Sequence, residues 1–127
     1  MAKPVPLTVP GLPPANPTYS QATVLGALVF VSGQLGIDPM PNRLAGDDMA
    51  AQTRQALLNI ERILQEAGSS LDRVARCNLY LTDYGRLAEA NAVYAEFFSD
   101  HKPAKTGVGV SALWGGALIE IEVTAAL

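Results

Sequence analysis

Two spacings of apolar residues alternate along the chain, and each predicts one kind of element. Residues 21–25 and 28–33 are short β-prone runs on either side of Gly26-Ala27, which predicts two strands joined by a tight turn. A polar stretch with Asp38, Pro39, Pro41, Asn42 and Gly46 follows and reads as a long loop. The period then lengthens to that of a helix. Met49, Ala56, Leu57, Ile60, Ile63, Leu64 and Ala67 make one apolar stripe, with Arg54, Glu61, Arg62, Gln65 and Glu66 on the other side. Asp47 and Asp48 suit the start of that helix, and Gly68 suits its close.

Residues 74–81 return to alternation, with Ala75, Cys77, Leu79 and Leu81 on one face and Arg76, Asn78 and Tyr80 on the other. A second helix is expected over residues 87–98, its stripe made of Leu87, Ala90, Asn91, Tyr94, Phe97 and Phe98, so that Asn91 interrupts an apolar surface. Residues 105–111 and 117–125 read as two final strands around Leu113-Trp114-Gly115-Gly116. The order predicts an α+β fold with two helices on one face of a four- to five-stranded sheet. Six of the nine prolines fall within residues 1–17, where they withhold backbone donors. Residues 1–16 are therefore expected to be a leader and residues 17–127 a single domain. Two helices cover one sheet face, and a second copy of the chain is the expected cover for the other.

Composition narrows the function classes. With 127 residues, 49% of them hydrophobic, the chain suits one buried core. A formal charge of -3 gives no attraction for phosphate backbones or anionic lipid, so neither nucleic acid nor membrane is an expected partner. No apolar window reaches the length of a membrane span. Cys77 is the single cysteine and His101 the single histidine, which excludes an intrachain disulfide and a Cys/His zinc set; a cytoplasmic location is expected.

Candidate chemistry sits on the last two strands. Lys105, Gly107, Gly109 and Ser111 share a face nearly free of side chains, which suits either a small anion beside a cation or close packing of another element. Glu120 and Glu122 stand about 7 Å apart on one face, as an acid/base pair or a solvated surface. Asn91 must satisfy its amide, either locally or toward a polar cleft. Tyr19 follows Pro17-Thr18 and either closes over a ligand or anchors the leader. His101 beside Asp100 and Lys102 reads as a surface residue, and Cys77 as a small packed apolar one.

Eight blocks in order give the chain a resemblance to the RidA/YjgF reactive intermediate deaminase family. They are residues 19–22 (Tyr-Ser-Gln-Ala), 30–34 (Phe-Val-Ser-Gly-Gln), 52–57 (Gln-Thr-Arg-Gln-Ala-Leu), 67–71 (Ala-Gly-Ser-Ser-Leu), 80–83 (Tyr-Leu-Thr-Asp), 91–94 (Asn-Ala-Val-Tyr), 103–106 (Pro-Ala-Lys-Thr) and 119–122 (Ile-Glu-Ile-Glu). The resemblance implies a chorismate mutase-like sheet with two helices on one face, assembled as a homotrimer with clefts between subunits. It implies hydrolysis of small enamino and imino acids to 2-oxo acids and ammonia, with no metal or organic cofactor. By that resemblance Glu120 orients water, Lys105 anchors the substrate carboxylate, and Tyr19, Asn91, Gly33 and Gly107 shape the pocket.

The family has an arginine where this chain has Lys105. An arginine fork grips a carboxylate through two parallel bonds, and lysine keeps the charge without that geometry. Thr18 between Pro17 and Tyr19, and Trp114-Gly115-Gly116 in place of a proline-containing turn, also depart from the pattern. Three alternatives follow: a non-catalytic ligand-binding or regulatory trimer, a deaminase of an aminomuconate-type ring-cleavage product, and, ranked last, a ribonuclease.

Overall fold

Residues 2–13 and 15–127 are described by the computed structural model. The alternating segments assemble into one mixed sheet ordered β1-β2-β3-β8-β6-β7, where β1 is Val5–Leu7, β2 Ala22–Leu25, β3 Leu28–Leu35, β6 Val74–Leu81, β7 Ala104–Gly109 and β8 Ile119–Ala126. All neighbours are antiparallel except β6 and β7, which are parallel and joined through the helix α2, Leu87–Phe97. Gly26, at φ +59°, takes the first position of the two-residue loop between β2 and β3.

The longer helix, α1 (Met49–Glu66), begins where the Asp48 carboxylate accepts the Ala51 N–H at 2.8 Å. It ends where Gly68, at φ +83°, lets Ser69 N–H reach Leu64 O at 2.8 Å. Leu57, Ile60, Ile63 and Leu64 of α1 are buried together with Cys77, Leu79, Leu81, Ile119 and Ile121 of the sheet. Burying each leucine or isoleucine stabilises the fold by about 1.5–3 kcal/mol relative to leaving it exposed.

The opposite face of the sheet has no helix on it. Glu120, Glu122 and Thr124 of β8 lie there, as do Asn78 and Tyr80 of β6, alongside apolar side chains left in water: Leu28 40% exposed, Phe30 39% and Val108 40%.

The structure departs from the sequence expectations in five places. The proline-rich segment contributes β1, paired as Val5↔Val24, Pro6↔Thr23 and Leu7↔Ala22, because an edge strand tolerates a residue without an N–H; the sheet therefore has six strands. Val9 just beyond it is buried. Within the expected loop, β4 (Ile37–Asp38) pairs with β5 (Arg43–Leu44) as a small hairpin. A register shift between Val74 and Arg76 puts Val74 in the core and Ala75 in solvent. Finally, α2 ends at Phe97 and buries Val93, which the expected stripe omitted. The glycine face of β7 lies toward the helices: a Cβ on Gly107 would sit 3.6 Å from Leu87 Cδ1, and one on Gly109 would sit 3.4 Å from Tyr84 Cβ. Those are ordinary van der Waals distances, so the helix side borders these glycines without requiring them.

Candidate functional site

On the uncovered side, a cavity of about 790 Å³ is lined by Tyr19, Gly33, Trp114 and Glu120 among others. Its first wall is the N-terminal segment. Gln21 is buried and ties that segment down, accepting from Val9 N–H at 2.6 Å and donating to Pro13 O at 2.9 Å, so that Leu12 and Pro13 face the cavity. Tyr19 is presented by a turn in which its N–H donates to Asn16 O at 3.1 Å and Thr18 N–H donates to the Asn16 side chain at 3.0 Å.

The floor is made by the meeting of β3 and β8. The register of β3 on β8 shifts between Val31 and Gln34, and Gly33 lies in that irregularity. A Cβ on Gly33 would collide with Oε1 of Glu120, so the absence of a side chain there is what lets the carboxylate lie over the strand. Burial, and secondarily the charge of Glu122, raises the Glu120 pKa above the usual carboxylate range.

Glu122 is in a different situation. Its Oε1 accepts from Asn78 Nδ2 at 3.1 Å and from the Tyr80 hydroxyl. That hydrogen bond, with burial second, pushes the Tyr80 phenol up to about 12. Of the two carboxylates, Glu122 is held by its cross-strand neighbours, and Glu120 has no hydrogen bond among the described residues.

Lys105, Asn91 and Gly107 gather elsewhere. Lys105 pairs with Cys77 across β7 and β6 and so faces the helices, whereas Glu120 pairs with Tyr80 on the other face. The Lys105 Nζ donates to Asn91 Oδ1 on α2 and lies 4.3 Å from the centroid of the Tyr94 ring. Partial burial against α2 lowers its pKa. Beneath it, burial pushes the Cys77 thiol up to about 12, which keeps it neutral and unreactive. The predicted residues thus form two clusters on opposite faces, two strands apart in the order β8-β6-β7.

His101 belongs to neither cluster. Its Nε2 meets Val74 O at 2.6 Å, beside a shallow cleft of about 190 Å³ with Leu71 and Phe97. Among the described residues no three His, Cys, Asp or Glu side chains are grouped to hold a metal ion, and no helix is long and apolar enough to cross a membrane. Sequence reasoning missed Gln21, Asn78 and Tyr80. The alternation of residues 74–81 placed Asn78 and Tyr80 together on one face, but nothing local tied that face to Glu122.

A helix-backed mixed sheet of this topology is a known class. The family model described as Endoribonuclease L-PSP matches residues 12–127. A RutC family protein of Pyrococcus abyssi is 42% identical over 125 residues, covering 98% of either chain. The crystal structure of RidA from an Antarctic Psychrobacter species superposes with a TM-score of 0.87 at 39% identity, covering 92% of this chain and 94% of that one. That of Escherichia coli TdcF with bound serine gives 0.90 at 30% identity, covering 97% and 98%. The chain belongs to the RidA/YjgF/RutC family.

Proposed function

We propose that the protein is a cofactor-free cytoplasmic deaminase that hydrolyses small 2-imino and enamino acids to 2-oxo acids and ammonia, in clefts between the subunits of a homotrimer. The observation that carries this reading is the separation of an unbonded carboxylate, Glu120, from a cationic cluster, Lys105 with Asn91, on opposite faces of one chain. A site needing both is complete only where the cavity of one copy meets the β7 edge of another. The apolar side chains on the uncovered face favour the same association.

In such a cleft Lys105 anchors the substrate carboxylate and Glu120 takes a proton from water as the oxygen adds to the imine carbon. That proton is delivered to nitrogen to give the carbinolamine; Glu120 then relays the hydroxyl proton to the same nitrogen, the C=O bond forms as the C–N bond breaks, and ammonia leaves, giving the 2-oxo acid. A carboxylate with a raised pKa is a stronger base for the first step. Tyr19 and Gly33 line the same cavity as Glu120, which supports their role in shaping the pocket. Serine bound to TdcF, a small molecule with a carboxylate and an amine, agrees with a ligand of this class.

The test is the loss of imine in a mixture with an amino-acid oxidase that generates 2-imino acids. The purified protein is expected to accelerate it and the Glu120→Gln variant to fail; no acceleration by the parent across several amino acids overturns the reading. Sedimentation as a single chain overturns the shared cleft.

The ammonium of Lys105, already engaged by Asn91 and the Tyr94 ring, favours a second reading in which the trimer binds such acids without turning them over. Lys105→Arg discriminates the two: deaminase activity gained by the variant and absent from the parent supports the binding protein. Cleavage of RNA has less behind it, because His101 is bonded to the backbone and lies outside the Glu120 cavity.

A further inference from the structure

We infer that Trp114 is a specificity-determining residue, selecting ligands whose side chain is aromatic or comparably broad and apolar. The inference rests on the reading that the Glu120 cavity holds the carboxylic ligand, and it narrows the class of that ligand.

Trp114 borders the same cavity as Glu120 and is 78% exposed, although it is the chain's single tryptophan and its largest side chain. Tyr19, 56% exposed, borders that cavity too. Two aromatic rings left in water around one opening suit a flat apolar group inserted between them, since rings associate in offset or edge-to-face arrangements at about 4.5–7 Å. The neighbouring walls, Leu12, Pro13, Leu35 and Ile37, add apolar surface. A cavity of about 790 Å³ also has more room than a three-carbon acid fills.

The backbone turn that carries Trp114 is closed by hydrogen bonds. Gly116 N–H donates to Leu113 O at 3.3 Å and Ala117 N–H to Trp114 O at 3.2 Å, closing a turn whose Gly115 and Gly116 lie at φ +68° and +72°. Side chains rarely tolerate two successive residues in that region, so the turn needs both glycines. Immediately after it, Ala117 is buried and Leu118 N–H is held by Gln52 Oε1 at 2.8 Å. The backbone of Trp114 is thereby tied to that of Glu120 through the five intervening residues, 115–119, so both side chains spring from a fixed frame. A ligand whose carboxylate is held by Lys105 of a neighbouring copy, with its second carbon at Glu120, directs its side chain toward the Trp114 and Tyr19 rim.

The experiment uses 3-phenylpropionate and propionate as probes, followed by calorimetry and by the fluorescence of the single tryptophan. The parent is expected to bind 3-phenylpropionate about tenfold more tightly than propionate or better, with a change in emission. Trp114→Ala is expected to bring the ratio close to one, and Trp114→Phe to keep most of it. Equal binding of the two acids by the parent, or a preference that survives in Trp114→Ala, overturns the inference. So does a Trp114→Ala chain that no longer assembles while Trp114→Phe does, because the ring then serves subunit packing. A clear preference for the aromatic probe in a protein that turns over no imine overturns the deaminase reading and leaves this one standing.

Discussion

At the cavity the Glu120 carboxylate has no hydrogen bond among the described residues, whereas at the β7 edge the ammonium of Lys105 is already bonded to Asn91 and set over the Tyr94 ring. Both groups are partly buried, and burial moves each pKa toward the neutral form, Glu120 up and Lys105 down. The contrast lies in what is left free. A strand irregularity and a missing side chain at Gly33 leave Glu120 open to a ligand. Lys105 is instead held by Asn91 and the Tyr94 ring. In the proposed reaction the first end does the chemistry and the second orients.

Glu120→Gln breaks the contrast most severely. With the proton acceptor gone and the shape kept, kcat for imine hydrolysis is expected to fall about 10²–10⁴-fold in a stopped assay, with an unchanged far-ultraviolet spectrum. Lys105→Ala is next. Loss of a charge-assisted contact should lower kcat/KM about tenfold to a hundredfold, and the change should lie more in KM than in kcat if Lys105 orients the substrate.

Glu122→Gln sharpens the comparison by degrees. The charge of Glu122 is the lesser cause of the raised Glu120 pKa, so its removal lowers that pKa without abolishing the effect of burial. Activity requires ionised Glu120 and rises with pH through its pKa, so the acidic limb of the rate profile should move to lower pH. A limb that stays in place, or moves upward, contradicts the assignment. Gln21→Ala has the smallest expected effect on chemistry. It leaves Val9 N–H without its partner, costs about 1–3 kcal/mol of stability in a denaturant titration, and loosens the cavity wall without altering the β7 edge.

Much of the fold was legible because period alone separates α1 from the strands and because Gly26 and Gly68 punctuate at positions that require positive φ. The first strand was hidden by Pro6, since whether a proline ends a strand or sits on an edge depends on neighbours distant in sequence. Ala75 was misplaced for a similar reason: a bulge moves one residue out of alternation without a local signal. At the site, alternation put Lys105 with Gly107 and Glu120 with Glu122, and the structure keeps both pairings. Alternation could not separate Glu120 from Glu122. That distinction comes from Asn78 and Tyr80, brought alongside by strand pairing across 44 and 42 residues.

The two clusters also belong to different stretches of polypeptide: the carboxylate side is made by the beginning and end of the chain, the ammonium side by the β6-α2-β7 unit. If the pockets are shared between subunits, a mixed assembly of Glu120→Gln and Lys105→Ala subunits, each impaired alone, would receive an intact contribution from both parents in about a quarter of them, so that two crippled proteins would complement one another in a single tube.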